Sequence, residues 1–423
     1  MINEEFIQYI WKHKLFKLDN LLTVCGKTIE IINPGELNTN AGADFFNSKV
    51  KIENTLWAGN VEIHIKSSDW LAHNHQTDKA YSNVILHVVT QFDQDAINQK
   101  GEVIPCLEIK YSEDLYDEYL SLTSSVHDLA CASHLHQINS FEISLWVQRM
   151  LVERLEHKVN SIEHLLNNTT NNWDEVFYRL LFRSFGLGVN GTAFELLAQS
   201  IPLSVLLKYS NDIDLLEALL FGQAGMLSEP GGDNYYARLQ TDYQFLKQKH
   251  GLKPMDSFLW KFLRLRPSNF PTIRISQLAN LMHKLKGVFG NLTEEQEIRN
   301  IEKLLNVDAS VYWDKHYTFS KESKDTQKRL GKTSISNIII NTIIPYIFTF
   351  GKKNGNVSYE QKALKWLSEM KPERNSIINQ WKCNEIPVKS AGDSQALIYL
   401  FNNYCKLKKC LHCRIGHQVL AIK

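Results

Sequence analysis

The side chains most able to do chemistry crowd between Gly42 and His87. Asp44 opens one apolar run of period two, and Glu62, His64 and Lys66 hold alternate positions of the next. Alternation along a strand puts these three on one face, opposite Val61, Ile63 and Ile65, which can pack on a helix. Two carboxylates on neighbouring strands can share one Mg²⁺, or Mn²⁺ in its place. Such an ion keeps several waters and can present one as a nucleophile. A basic side chain two residues past the second acid can orient or deprotonate that water, or neutralise a phosphate under attack. Asp44 and Glu62 are therefore candidate ligands and catalytic residues, with His64 and Lys66 assisting. A preceding helix supplies Glu4, Glu5 and Gln8. The competing reading is that this face is simply wetted by solvent.

Three further groups have suggestive spacing. His73-x-His75 with Asp78 offers imidazole and carboxylate to Zn²⁺, Mn²⁺ or Fe²⁺, or else forms a polar turn capping the next segment. Arg264, Arg266 and Arg274 flank a Pro-Ser-Asn-Phe-Pro turn ahead of a helical pattern starting near Gln277 and Asn280. That arrangement suits phosphate, or an interdomain clamp on an acidic surface. Cys405, Cys410, Cys413 and His417 suit tetrahedral Zn²⁺, whereas Cys383 in place of His417 would give four thiolates for Zn²⁺ or an iron-sulfur cluster. Packed, unliganded thiols are the alternative. Gly331-Lys332-Thr333 lacks the first glycine of a phosphate-binding loop, since Thr326 stands there.

The elements that must position these residues read as a helix over 3–15 and strands over 27–32, 45–52, 56–65, 84–90 and 103–109. A short turn at Glu53-Asn54-Thr55 makes 45–52 and 56–65 a hairpin. From Asn139 onward helical periodicity takes over, with Asn139 and Glu142 resembling a capping box and Leu151, Leu155, Val159, Ile162 and Leu166 on one stripe. Gly186, Gly222, Pro267, Pro271, Gly287 and Gly290 mark helix ends. The expectation is an α+β chain: a small mixed sheet domain over 1–126, a mostly α-helical domain over 139–380 and a helical cysteine-bearing tail over 381–423.

The length of 423 residues excludes a disulfide-stapled miniprotein, and 43% hydrophobic with 22% charged residues excludes a disordered or fibrous chain. The formal charge of +1 conceals segregation. Residues 1–126 carry 10 Lys+Arg against 18 Asp+Glu, while 257–293 and 394–423 contain six and five basic residues and no acid. DNA or RNA is the expected partner of such basic segments, solvated helix faces the alternative. An acidic N-terminus without an apolar leader and a scattered, odd set of seven cysteines point to the cytoplasm. The uncharged stretch 333–351 is broken by polar residues and Pro345, so a buried helix ended or kinked there is expected rather than a membrane span.

The order Asp44, hairpin, Glu62-x-His64 resembles the PD-(D/E)XK superfamily of metal-dependent phosphodiesterases, with His64 where its lysine usually stands. That resemblance implies a Mg²⁺-dependent nuclease, completed by an acid from the preceding helix. Non-catalytic nucleic-acid binding or scaffolding, with a degenerate strand and a structural metal in the tail, is the alternative. A small-substrate hydrolase built on His73, His75 and Asp78 is a third. A separate likeness extends over nearly the whole chain. Pro34-Gly35, Ala41-Gly42-Ala43-Asp44-Phe45, Val61-Glu62-Ile63-His64, Ser68-Asp69-Trp70, the Arg264 to Arg274 segment and the cysteine tail resemble an uncharacterised bacterial domain-of-unknown-function family. That family carries no established activity, and its usual Pro-Asp is Ala43-Asp44 here.

Overall fold

The structure is a computed structural model that describes residues 2–286 and 294–421. Gly287 and Gly290, Thr293 at the end of one basic segment and Lys423 at the end of the other lie outside the described residues. The chain is α+β and divides into two units, Met1–Trp146 with Leu400–Lys423, and Val147–Tyr399. The end of the cysteine tail thus belongs to the sheet-bearing unit instead of standing apart.

In the first unit, α1 (Glu4–Lys12) starts where Asn3 Oδ1 accepts from Phe6 N at 3.0 Å, with Glu4 and Glu5 favourably placed in the first turn. Phe6, Ile7, Ile10 and Trp11 are buried, and the helix packs on the sheet at the fourth strand. The strands are β1 (Ile29–Asn33), β2 (Glu36–Leu37), β3 (Phe45–Ile52), β4 (Thr55–Lys66), β5 (Val84–Gln91) and β6 (Cys106–Glu108). They form one mixed sheet in the order β1-β3-β4-β5-β6, with β2 also on β3. β1, β3 and β4 pair antiparallel, and β4, β5 and β6 pair parallel.

Two local features place Asp44 and Glu62. The expected hairpin closes with Ile52 opposite Thr55, and Glu53 takes φ 54° in the turn. At the other end Phe45 faces Val61 while Ser48 faces Gly59, so β3 carries one extra residue there, with Asn47 at φ 55°. Such a bulge bends the strand and re-aims its neighbours, here at the residue following Asp44. The parallel step from β4 to β5 requires a crossover, which contains α2 (Asp69–Ala72) and the 3₁₀ turns His75–Thr77 and Lys79–Tyr81. Ser67 and Ser68 pin its start to Asp93, with hydroxyl bonds of 3.0 and 2.9 Å. A short helix Glu113–Ser124 follows β6.

Gly35 joins this sheet to α1. Its φ is +94°, and a Cβ would strike Ser48 Oγ and lie 2.6 Å from Phe46 O. The neighbouring Pro34 carbonyl accepts from Trp11 Nε1 at 3.0 Å and Ser48 Oγ at 2.7 Å. Gly35→Ala is expected to destabilise the chain by about 1–3 kcal/mol, from the left-handed backbone and the clash together. Urea unfolding with an unshifted midpoint would refute this account of the turn.

Among its described residues the regular structure of the second unit is helical apart from the ribbon His316–Thr318 with Lys321–Glu322. Its core includes the fully buried Phe177, Phe182, Phe194, Trp313 and Trp366. The chain enters it through the helix Ser140–Asn168. Asn139 caps this helix by accepting from Phe141 N at 2.8 Å, two residues on where a capping box would use the third, and Glu142 pairs with Arg414. The helix with Pro271 at its start runs Pro271–Leu285, so Gln277 and Asn280 lie inside it and not at its beginning. Nor does the apolar helix end at Pro345. A π turn at Ile339–Ile343 precedes the proline and the helix continues as Ile344–Lys353. Lys332–Lys353 is long and apolar enough to cross a membrane, and most of its apolar window is buried inside the protein.

Candidate metal centre

Strand β4 is not half wet. Val61 and Ile63 are buried on one side, and Glu62 and His64 are also buried on the other, at 5% and 1% exposure. Asp44 and Glu62 interlock through the backbone. Asp44 N donates to Glu62 Oε2 at 3.0 Å, and Ile63 N donates to Asp44 Oδ2 at 3.0 Å. Gln8 of α1 donates to Asp44 Oδ1 at 2.9 Å. Bulge, hairpin and helix therefore meet at this acid pair.

His64 of β4 and His75 of the crossover lie against Glu62. His75 Nε2 is 3.4 Å and His64 Nε2 is 3.6 Å from Glu62 Oε1, and His64 Nε2 is 3.2 Å from His73 Nδ1. One ring nitrogen from each of His64, His73 and His75 lies within 4.8 Å of the others. Behind them His87 Nε2 contacts His64 Nδ1 at 2.9 Å, because parallel pairing sets His87 opposite Glu62. Trp70 is fully buried beside the His75 and His87 rings, and Tyr81 stacks on His75 at 3.8 Å. His73 is exposed, so the cluster opens to solvent on that side.

Electrostatics make this a ligand set more than a base. Burial and the adjoining imidazoles hold His64 down to about 2, burial holds His87 down to about 4, and it also lowers His75, so these rings are neutral and can donate lone pairs. Burial, then repulsion from Asp44, pushes the Glu62 carboxyl up, and burial pushes Asp44 up. Burial also raises Glu4, which contributes charge to both. Among the described residues Glu62 has only histidines as ion-pair partners, and Asp44 has none. A buried acid pair without Lys or Arg is stabilised by a cation, and an imidazole-rich set with one carboxylate suits Mn²⁺, Fe²⁺ or Zn²⁺. His87 is the group that orients His64: with a metal on His64 Nε2, His64 Nδ1–H would donate to His87. His87→Phe is expected to weaken metal binding about 10- to 100-fold, read by Mn²⁺ titration calorimetry. Unchanged affinity would remove His87 from this role.

Other expected residues fall elsewhere. Lys66 is exposed, and its charge is felt by Asp93. Asp78 caps the turn Lys79–Tyr81 by accepting from Ala80 N at 2.9 Å, with its charge acting on His75. Arg264 and Arg266 are exposed. Arg274 departs from the phosphate-binding expectation. It is 4% exposed and donates to Asn269, Gln277 and Ser334, so it braces the proline turn instead of facing solvent. His417 is held by Tyr9, with Nδ1 2.5 Å from the hydroxyl, and packs against His13. Cys383 is exposed in the second unit. That unit's cleft of about 750 Å³ is lined by Lys158, Arg183, Glu195, Asn341 and Glu373 among others, and by none of the expected site residues.

No curated protein and no solved structure matches the chain. A family model described as a protein of unknown function, DUF2851, matches residues 4–376, a span that holds the acid pair, all four clustered histidines and the proline turn braced by Arg274. The chain therefore belongs to the DUF2851 family.

Proposed function

We propose that the first unit is a metal-dependent hydrolase of phosphodiester bonds in nucleic acid. The observation that carries the reading is Glu62, buried between the Asp44 backbone and the His64 and His75 rings with no Lys or Arg among the described residues to neutralise it. Asp44 and Glu62 would hold the ion, and His64, His73 and His75 would extend its ligand set. In this arrangement His64 acts as a ligand and not as a substitute for the lysine of the PD-(D/E)XK pattern. The imidazoles favour Mn²⁺ over Mg²⁺ as the working ion. The ion would lower the pKa of a bound water and so supply the nucleophile. Tyr81, whose hydroxyl is raised to about 12 by burial and by nearby carboxylates, stays protonated and could donate to a phosphate oxygen. The exposed Arg264 and Arg266 give the second unit a basic surface of its own that suits a polyanion.

The test is incubation of the full chain with single- and double-stranded DNA and RNA in Mg²⁺, Mn²⁺ or Zn²⁺. Mn²⁺-dependent cleavage is the expected result. Nucleic-acid binding with only background cleavage would replace this reading by the non-catalytic one. Cleavage of a small phosphodiester with no action on polymers would replace it by a small-substrate hydrolase.

A further inference from the structure

The three tail cysteines gather a fourth that their spacing does not announce. A small cavity in the first unit is lined by Ala130, Tyr404, Lys409 and Gly416 and by Cys131, Cys405, Cys410 and Cys413. Half of its lining residues are cysteines, and all four are unpaired. Cys131 precedes the 3₁₀ turn Ala132–Gln137, Cys405 ends the π turn Phe401–Cys405, and Cys410 opens the turn Cys410–His412 ahead of the helix Arg414–Ala421. Segments far apart in sequence therefore line one cavity of the first unit.

We propose that Cys131, Cys405, Cys410 and Cys413 form a four-thiolate metal centre that takes Zn²⁺ or an iron-sulfur cluster and ties the returning tail into the first unit. Both are held by four cysteine thiolates, and the Cys410-x₂-Cys413 loop is a compact chelating turn for either. Burial disfavours the thiolates, and several nearby groups oppose it. The backbone N–H groups of Ile415 and Gly416 and the Trp146 indole act on Cys413 to favour its thiolate, and Trp146 Nε1 is buried without another hydrogen-bond partner. Lys408 favours the thiolates of Cys131, Cys405 and Cys410. Burial pushes all four thiols up, Cys131 to about 12 and Cys410 to about 11, so a bound cation has protons to displace from them. Gly416 is required for the approach of helix to loop, since a Cβ there would overlap the Cys410 carbonyl.

The centre does not depend on the hydrolase reading, and its test is run so that the two cannot be confused. The full chain carrying His73→Ala and His75→Ala, which removes two ligands of the histidine cluster, is purified without oxygen and its zinc, iron and acid-labile sulfide are measured. The expected result is one zinc ion per chain, or iron with matching sulfide and cluster absorbance. Adding Cys131→Ser should lower that content at least tenfold, and Cys383→Ser should leave it unchanged. If Cys131→Ser fails to fold, alkylation of the unsubstituted chain supplies the readout. Cys131, Cys405, Cys410 and Cys413 should be protected until a chelator is added, while Cys25 and Cys383 react throughout. Metal content indifferent to Cys131→Ser, a chain that takes up neither zinc nor a reconstituted cluster, labelling indifferent to chelator, or a disulfide within the four would each overturn the proposal.

Discussion

Glu62→Gln and Asp44→Asn are each expected to lower Mn²⁺-dependent phosphodiester cleavage by roughly a thousandfold or more, equivalent to about 4 kcal/mol of transition-state stabilisation. The amides keep the shape of the site. In the second variant the amide oxygen can still accept from Ile63 N, as the Asp44 carboxylate does at 3.0 Å, and β4 stays buried either way. Only the charge that holds the ion is lost. Rates should therefore collapse while circular dichroism is unchanged, and raising Mn²⁺ should recover little, because a single neutral oxygen is a poor hard-cation ligand. Lys66→Met is the matched control. Its charge acts near Asp93 instead, so activity within about threefold of the unsubstituted chain is expected. Cleavage persisting within tenfold in both amide variants would show that Asp44 and Glu62 are a structural pair, and a large loss in Lys66→Met would move the chemistry along the strand.

The contrast between Lys66 and His64 shows how far the sequence could be read. The strand 45–52 and the hairpin after it were legible because apolar alternation and a short turn are local signals, and the structure places β3 at Phe45–Ile52. Alternation also correctly grouped Glu62 with His64. What it could not supply was what lies over that face. A strand with one polar face suggests solvent, yet here the crossover with His73 and His75 covers it, and that arrangement is set by the parallel pairing of β4 with β5. His87 illustrates the same limit. It sits in an apolar run, and only the register that sets it opposite Glu62 reveals its contact with His64. Cys131 is the extreme case, since a partner so distant in sequence from Cys405 leaves no spacing to detect. Arg274 failed in the opposite direction: a basic residue beside a proline turn looked free for phosphate, but its guanidinium satisfies Asn269 and Ser334 within the fold.

Stability of the metal-free chain is expected to fall as pH rises from about 6.5 to 8, and a bound divalent ion is expected to abolish that fall. The sign follows from which state holds more protons. Burial raises the Asp44 and Glu62 carboxyls above their unfolded values, with repulsion from Glu4 on Asp44 and from Asp44 and Glu4 on Glu62, so their contribution is fully present at acidic pH and is lost as pH climbs toward the folded values. The histidines act the other way. His64 and His87 are depressed to about 2 and about 4, so their contribution is present above about 6.5 and is lost as pH falls below it. Above 6.5 the histidine contribution is therefore constant and the acid pair sets the slope. A proton retained by the pair across this window corresponds to about 1.4 kcal/mol per pH unit. A metal replaces that proton, so its affinity should increase with pH, and an ion at 100 times its Kd adds about 2.7 kcal/mol of its own. Urea unfolding in EDTA and in Mn²⁺ across this range reads both effects, and Glu62→Gln in EDTA should flatten the profile because its amide has no proton to lose. A metal-free profile that is flat or rises with pH would mean that the pair is not held protonated, and with it would go the argument that this buried pair requires a cation.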